Sequence, residues 1–302
     1  MSGSEVLMNS SQVSVIGMGQ MGRAISGRLH GQGWKVNAFN RTWRDEYSEL
    51  EFQVSDDLKV IQGSTVLILS LFDEHSIKSL LFNENEICEY LSDGSIIIDT
   101  TTHNPNFAKF LSEMMANRNI AYLDAPVSGG PIKAQHGKLA MMVGGLESTY
   151  RKQLDLLNSI GNHVYYLGNA GSGQAAKLVN QILVGISQLA TAEAMTFATH
   201  LNLDLGNLIK VIRQSAGDSE VFRRSAPQMA KRKYSHEFQT HLIAKDLREI
   251  ATVAEEQDLD LPLTKLSLLR LGEHEKGELS TMDAASIREL YLNTKQASGE
   301  KD

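Results

Sequence analysis

Four groups of residues in this sequence have the types and spacing to do chemistry. The first is Gly17-Met18-Gly19-Gln20-Met21-Gly22, a GxGxxG run directly after the apolar stretch 13–16. In that context the first glycine can turn tightly, the second can admit a pyrophosphate against bare backbone, and the third can bring a helix close to a strand. A helix opening there offers unpaired N–H groups and a partial positive charge to phosphates. All six residues are read as a dinucleotide-binding loop, with a purely structural turn as the alternative. The second group, Asn40-Arg41-Thr42, ends the apolar stretch 35–39, where an NAD site usually carries Asp or Glu. No carboxylate stands there to repel a 2′-phosphate. Arg41 can meet phosphate oxygens with a planar fork of donors, and Asn40 and Thr42 can add neutral hydrogen bonds. The expected cofactor is NADP (NADPH); an incidental arginine on a solvated turn competes with that reading.

The third group is Asp124-Ala125-Pro126-Val127-Ser128-Gly129-Gly130, which follows the apolar stretch 120–123. It should leave a sheet at its carboxyl end, where ligands bind in open α/β folds. Two adjacent glycines let the backbone turn its N–H groups inward beside the Ser128 hydroxyl, a concavity suited to a substrate carboxylate. Ser-Gly-Gly also occurs in plain loops. The fourth group lies in 173–181, where Lys177, Asn180 and Gln181 share one helix face through i+3 and i+4 spacing. Buried, that face would need polar partners. On spacing alone a lysine there also fits a solvated face, its stem lying along apolar surface.

The elements that must position these groups follow from periodicity. Apolar stretches 13–16, 35–39, 65–69, 95–98, 120–123, 139–143 and 164–167 read as strands. Between them 23–30, 74–81 and 106–117 have helical spacing, so the first half is a doubly wound α/β layout. Beyond Leu167, glycines 168, 171 and 173 bracket a short polar bridge, and β-branched runs become sparse. The expected division is a Rossmann domain over 1–170 and an all-α substrate and oligomerisation domain over 171–302. A long interdomain helix is expected over 173–200, with further helices over 205–215, 244–257 and 263–271; 297–302 reads as a frayed tail.

At 302 residues the chain is long enough for two cores. Its 29 basic and 36 acidic side chains give a net charge of −7, which argues against a nucleic-acid or anionic-membrane partner. Cys88 is the only cysteine, so no internal disulfide can form and a reducing, cytoplasmic setting is expected. The first 11 residues lack a leader pattern, and no uninterrupted apolar run nears the ~18 residues of a membrane span. The histidines show no zinc-ligand spacing, so no metal is expected. His103 and His136 read as surface or loop histidines. The basic cluster Arg223, Arg224, Lys231, Arg232 and Lys233 reads as a solvated helix face.

Taken in order, GMGQMG, NRT, DAPVSGG, GSGQAAKLVNQ and the AKDL of 244–247 resemble the β-hydroxyacid dehydrogenases, from residue 13 to about 271. The resemblance implies Lys177 as catalytic acid/base and Ser128, Gly129, Gly130, Asn180 and Gln181 as the substrate-holding set, with Asn180 orienting the substrate. It further implies cofactor contacts from Leu71, Thr102 and Lys245, and a homodimer or homotetramer. The implied reaction moves hydride between NADPH and a small carboxylated aldehyde, written equally as a 3-hydroxyacid. An ammonium at Lys177 would protonate the oxygen in reduction, and a neutral amine would take the hydroxyl proton in reverse. An exposed lysine titrates near ~10.4, so the neutral form needs burial or a nearby cation such as Lys245. His103 stands where the family more often has an aliphatic residue. Imine reductases share the expected architecture but usually replace the lysine; a non-enzymatic NADP-binding scaffold is a further alternative.

Overall fold

The computed structural model describes residues 12–82 and 87–292. The expected leaderless start and the frayed tail 297–302 lie outside the described residues. The chain divides into two compact units, Met1–Lys177 and Leu178–Asp302.

The first unit is built on a nine-stranded sheet. Its elements are β1 (Gln12–Ile16), α1 (Gln20–Gly31), β2 (Lys35–Phe39), β3 (Gln53–Ser55), β4 (Val66–Leu69), α2 (Glu74–Phe82), β5 (Ile96–Asp99), α3 (Pro105–Ala116) and β6 (Ala121–Asp124). After these come β7 (Val127–Ser128), α4 (Gly130–Gln135), β8 (Ala140–Gly145), α5 (Glu147–Lys152), α6 (Leu154–Ile160) and β9 (His163–Gly168). The order β3-β2-β1-β4-β5-β6 is wholly parallel, whereas β8 joins β6 antiparallel and pairs with both β7 and β9. This is the expected doubly wound sheet, extended by an antiparallel turn-back.

The apolar runs read as strands because both faces of the sheet are covered. Along β4, Val66 and Ile68 enter one core with Val13, Val15, Ile25 and Leu29, while Leu67 and Leu69 enter a second core with Ile16, Ile97 and Leu111. A strand buried on both sides has no polar alternation to show. The order reverses between β1 and β4, which opens a crevice beyond the carboxyl ends of those strands. Gly17 and Leu71 lie at those ends.

The second unit is helical. Within it lie most of α7 (Ser172–His200), then α8 (Leu205–Ile212), α9 (Glu220–Lys231), α10 (Thr240–Glu256), α11 (Pro262–Glu275) and α12 (Arg288–Leu292). Leu178, Leu189, Ala192 and Met195 of α7 share a core with Phe222, Met229, Ile243, Leu247, Leu271 and Ile287. The basic cluster of 223–233 reads as a helix face, but the bounds of α9 are hidden in the sequence because Pro227 sits inside it and charged residues blur its period.

One expectation needs correction. Helix α7 is long and apolar enough, by length and composition, to cross a membrane, although no uninterrupted apolar run suggested it. Leu, Ile, Val and Ala raise its average while polar residues such as Gln, Ser and Thr break every run. Its buried glutamines bond to protein groups: Gln181 Nε2 donates to Asp246 and Gln188 Oε1 accepts from the Ser225 hydroxyl.

Candidate active site

The glycines of the first loop do different work. Gly17 has φ +94°, a left-handed conformation that favours glycine, and a Cβ there would stand 2.3 Å from the Ser70 carbonyl oxygen. A Cβ at Gly22 would stand 1.8 Å from the Gly17 carbonyl oxygen, so this glycine lets α1 close on the loop. Gly19, the N-cap residue of α1, is exposed, and a Cβ on it would meet nothing within 4 Å. The first turn of α1 has no acidic residue and its cap supplies no side-chain hydrogen bond. The backbone at Gly19 is thus open to an anion at the start of a helix, where the dipole offers a partial positive charge, which fits a dinucleotide pyrophosphate.

Beyond β2 the three polar residues separate. Asn40 Oδ1 accepts the Met18 N–H at 2.9 Å and Asn40 Nδ2 donates to the Thr42 carbonyl at 2.7 Å. Asn40 therefore ties the glycine loop to the end of β2. Arg41 and Thr42 are exposed, and Arg41 has no ion pair or hydrogen bond among the described residues. The nearby Glu46 is bound instead by Arg23 at 2.7 Å. A cation left uncommitted at this strand end fits a 2′-phosphate.

Lys177 is buried, 7% exposed, and its Nζ donates to the Val127 carbonyl oxygen at 2.8 Å. Val127 precedes Ser128, Gly129 and Gly130, so the ammonium and the expected carboxylate loop share one corner of the first unit. Gly129 and Gly130 have φ of +136° and +76°, and Ser128 is only part-buried. The corner is held by Asp124 at the end of β6. Its Oδ1 accepts the Gly171 N–H at 2.8 Å and its Oδ2 accepts the Gln174 N–H at 2.9 Å. A carboxylate thus caps the start of the helix that carries Lys177, where its charge also complements the helix dipole.

Burial pushes the Asp124 carboxyl up to about 6, against the opposing pull of its two backbone donors. The folded chain therefore binds a proton more readily than the unfolded chain, where the group titrates near 3.8. Stability from this group is complete at low pH and falls as pH rises from about 4 through 6, by an amount on the order of 3 kcal/mol. Urea unfolding of wild type and Asp124→Asn should show that loss only in wild type. Parallel pH dependences in the two proteins would contradict the assignment.

His103 is a correction. It is not a surface histidine but fully buried, with Nε2 3.0 Å from Asp99 Oδ2 and Nδ1 3.1 Å from the Asn104 carbonyl. His136 is exposed, as expected. Beside His103, the Thr101 hydroxyl accepts the Leu71 N–H at 3.0 Å, which joins the two loops expected to carry cofactor contacts; Thr102 is part-buried between Thr101 and His103.

In the second unit, Asn180 Nδ2 donates to Gln181 Oε1 at 3.0 Å, Gln181 Nε2 to Asp246 Oδ2 at 2.6 Å, and Lys245 Nζ lies 3.1 Å from Asp246 Oδ1. Gln181 thus bridges Asn180 and Asp246. Asp246, which sequence reasoning passed over inside the AKDL motif, organises three of the expected polar groups. Arg224 also departs from the expected solvated face. Phe238 stacks under its guanidinium at 4.2 Å, and burial lowers its pKa. Arg223, Lys231, Arg232 and Lys233 are exposed.

Two family profiles match the chain: the NAD binding domain of 6-phosphogluconate dehydrogenase over residues 12–168, and the domain described as the NAD-binding of NADP-dependent 3-hydroxyisobutyrate dehydrogenase over 171–291. Among curated relatives, a 3-hydroxyisobutyrate dehydrogenase of Pseudomonas aeruginosa is 29% identical over 293 residues, covering 93% of this chain and 98% of the relative. An L-threonate dehydrogenase of Cupriavidus necator is 31% identical over 264 residues, covering 84% and 87%. The crystal structure of a 3-hydroxyisobutyrate dehydrogenase from Salmonella typhimurium matches the fold with a TM-score of 0.84 at 21% identity, over 93% of this chain and 99% of that one. With a dinucleotide loop at the β1/β4 switch point and both halves matched in order, the chain belongs to the β-hydroxyacid dehydrogenase family of NAD(P)-dependent oxidoreductases.

Proposed function

We propose that the protein is an NADPH-dependent reductase of small carboxylated aldehydes, equally a 3-hydroxyacid dehydrogenase in reverse, with Lys177 as acid/base. The observation that carries this reading is the buried Lys177 ammonium, 2.8 Å from the carbonyl of the residue preceding Ser128. A substrate carboxylate held by the Ser128 hydroxyl and the N–H groups of Gly129 and Gly130 would keep its neighbouring carbonyl within reach of that ammonium. NADPH, when bound, supplies the hydride. Lys177 donates its proton to the oxygen on which negative charge develops, and burial strengthens that interaction by excluding water. In the oxidative direction the neutral amine accepts the hydroxyl proton.

Gly17 to Gly22 would take the pyrophosphate and Arg41 with Thr42 the 2′-phosphate; Leu71, Thr102 and Lys245 are proposed as further cofactor contacts. Asn180 is proposed to orient the substrate. NADPH oxidation measured against glyoxylate, succinic, tartronate and methylmalonate semialdehydes tests the reading, with a carboxylate-free aldehyde and a cyclic imine as controls. At least one carboxylated aldehyde should be turned over far faster than the carboxylate-free control. Turnover of the imine alone would overturn the reading.

A second copy of the chain is proposed to cover the apolar residues that α7 and α11 leave exposed. Val179, Leu183, Phe197, Leu263, Leu266 and Leu269 are each at least 53% exposed, far more apolar surface than a solvated helix face needs. Sedimentation should find a dimer or tetramer; a 33.3-kDa species alone would contradict this.

A further inference from the structure

The mechanism above leaves unused a group of buried polar side chains at the start of α7. Gln174 is fully buried and commits all its polar groups. Its main-chain N–H donates to Asp124 Oδ2 at 2.9 Å, its Oε1 accepts the His103 N–H at 3.1 Å, and its Nε2 donates to the Thr101 carbonyl at 2.7 Å. The His103 ring lies against the same amide, with Nε2 3.2 Å from Gln174 Nε2. Nδ1 faces the Asn104 carbonyl, and Nε2 lies between the Asp99 carboxylate, an acceptor, and the Gln174 amide nitrogen, a donor. Burial pulls the imidazole pKa down, but Asp99 outweighs it and the net direction is up.

The groups that face the ring come from four elements: Asp99 at the end of β5, Tyr122 and Asp124 from β6, Gln174 from α7 and the Phe107 ring of α3 at 5.3 Å. Tyr122 donates its hydroxyl to Asp99 Oδ2 at 2.9 Å and Thr101 its N–H to Asp99 Oδ1 at 2.9 Å, so the carboxylate is fixed on both oxygens. A buried polar pair satisfied this fully holds its geometry against small displacements.

Gln174 precedes Lys177 by three residues, nearly one turn of the same helix. Asp124 holds that turn along the helix axis, and Gln174 holds it sideways against the loop of Thr101 to Asn104. We propose that Gln174 is a positioning residue for Lys177, oriented by the Asp99–His103 pair and setting the distance between the ammonium and the reacting carbonyl. The idea rests on the reading of Lys177 as the acid/base. Cutting the tie leaves the Asp124 cap in place but frees the turn to shift, and a shift of about 1 Å costs roughly 100-fold in rate.

The test compares wild type with Gln174→Ala, using an aldehyde that wild type reduces. We expect kcat to fall about 30- to 100-fold, NADPH affinity from fluorescence quenching to stay within about threefold, and hydrogen exchange in the peptide over 172–177 to quicken. A double variant, Asp99→Asn with His103→Leu, removes the orienting pair as a near-neutral swap and keeps Gln174; it should lower kcat about tenfold with NADPH affinity again retained. It is the variant to read should Gln174→Ala fail to fold. Wild-type kcat in either folded variant overturns the proposal, as does a loss of kcat matched by an equal loss of NADPH affinity. If wild type reduces none of the aldehydes with NADPH, the reading of Lys177 falls. Exchange over 172–177 still reads the tie, and an unchanged rate in Gln174→Ala overturns it.

Discussion

Lys177→Ala is expected to lower kcat by about 10²- to 10⁴-fold, the range for losing a positioned general acid. Affinity for NADPH should change little, because the glycine loop and the end of β2 are far along the chain and separately held. The geometry explains why the loss should fall on kcat. The ammonium is bound to the Val127 carbonyl at 2.8 Å and buried at 7% exposure, so alanine leaves a site with no other proton donor assigned to the oxygen. Arginine would not restore it: the guanidinium stays charged and cannot act as a base in the oxidative direction. Steady-state rates with NADPH titrations on the same preparations check both halves, and near-normal turnover in Lys177→Ala would remove the lysine from the mechanism.

Arg41→Asp should produce the other large effect, a fall of about 100-fold or more in the preference for NADPH over NADH. Losing a charge-assisted hydrogen bond to a phosphate costs roughly 1.5–3 kcal/mol, and an introduced carboxylate adds repulsion. Asn40→Asp is a poorer choice for the same question, since Asn40 Oδ1 accepts the Met18 N–H and Nδ2 donates to the Thr42 carbonyl. Changing it perturbs the loop as well as the phosphate. Comparing kcat/KM for the two nucleotides gives the preference directly. An unchanged ratio would mean that Arg41 is an incidental surface arginine.

What could be read in the sequence was local. Strands β1, β2, β4, β5 and β6 announced themselves because runs such as Val66 to Leu69 are buried on both faces. Lys177 could be picked out because it breaks an apolar helix at a place that also carries family motifs. The antiparallel turn of β8 onto β6 was not legible, since nothing in 139–143 distinguishes a parallel from an antiparallel neighbour. Nor were the groups that hold the lysine. His103 and Gln174 are separated by 71 residues in sequence and meet only because β5 and β6 are adjacent and α7 starts against their ends. Asp124 and Asp246 were inside motifs already quoted, but a motif shows that a residue is there and not what it bonds to. Arg224 looked solvated because its neighbours are charged; its burial depends on Phe238, 14 residues away.

The most direct test of the account follows the label from NADPH carrying deuterium at the transferred position, with product analysed by NMR for wild type and Lys177→Ala. The account predicts deuterium on the carbinol carbon of the hydroxyacid made by wild type. It predicts almost none from the variant over the same time, although the variant still binds the nucleotide. Labelled product from Lys177→Ala at the wild-type rate, or wild-type product without the label, would contradict it.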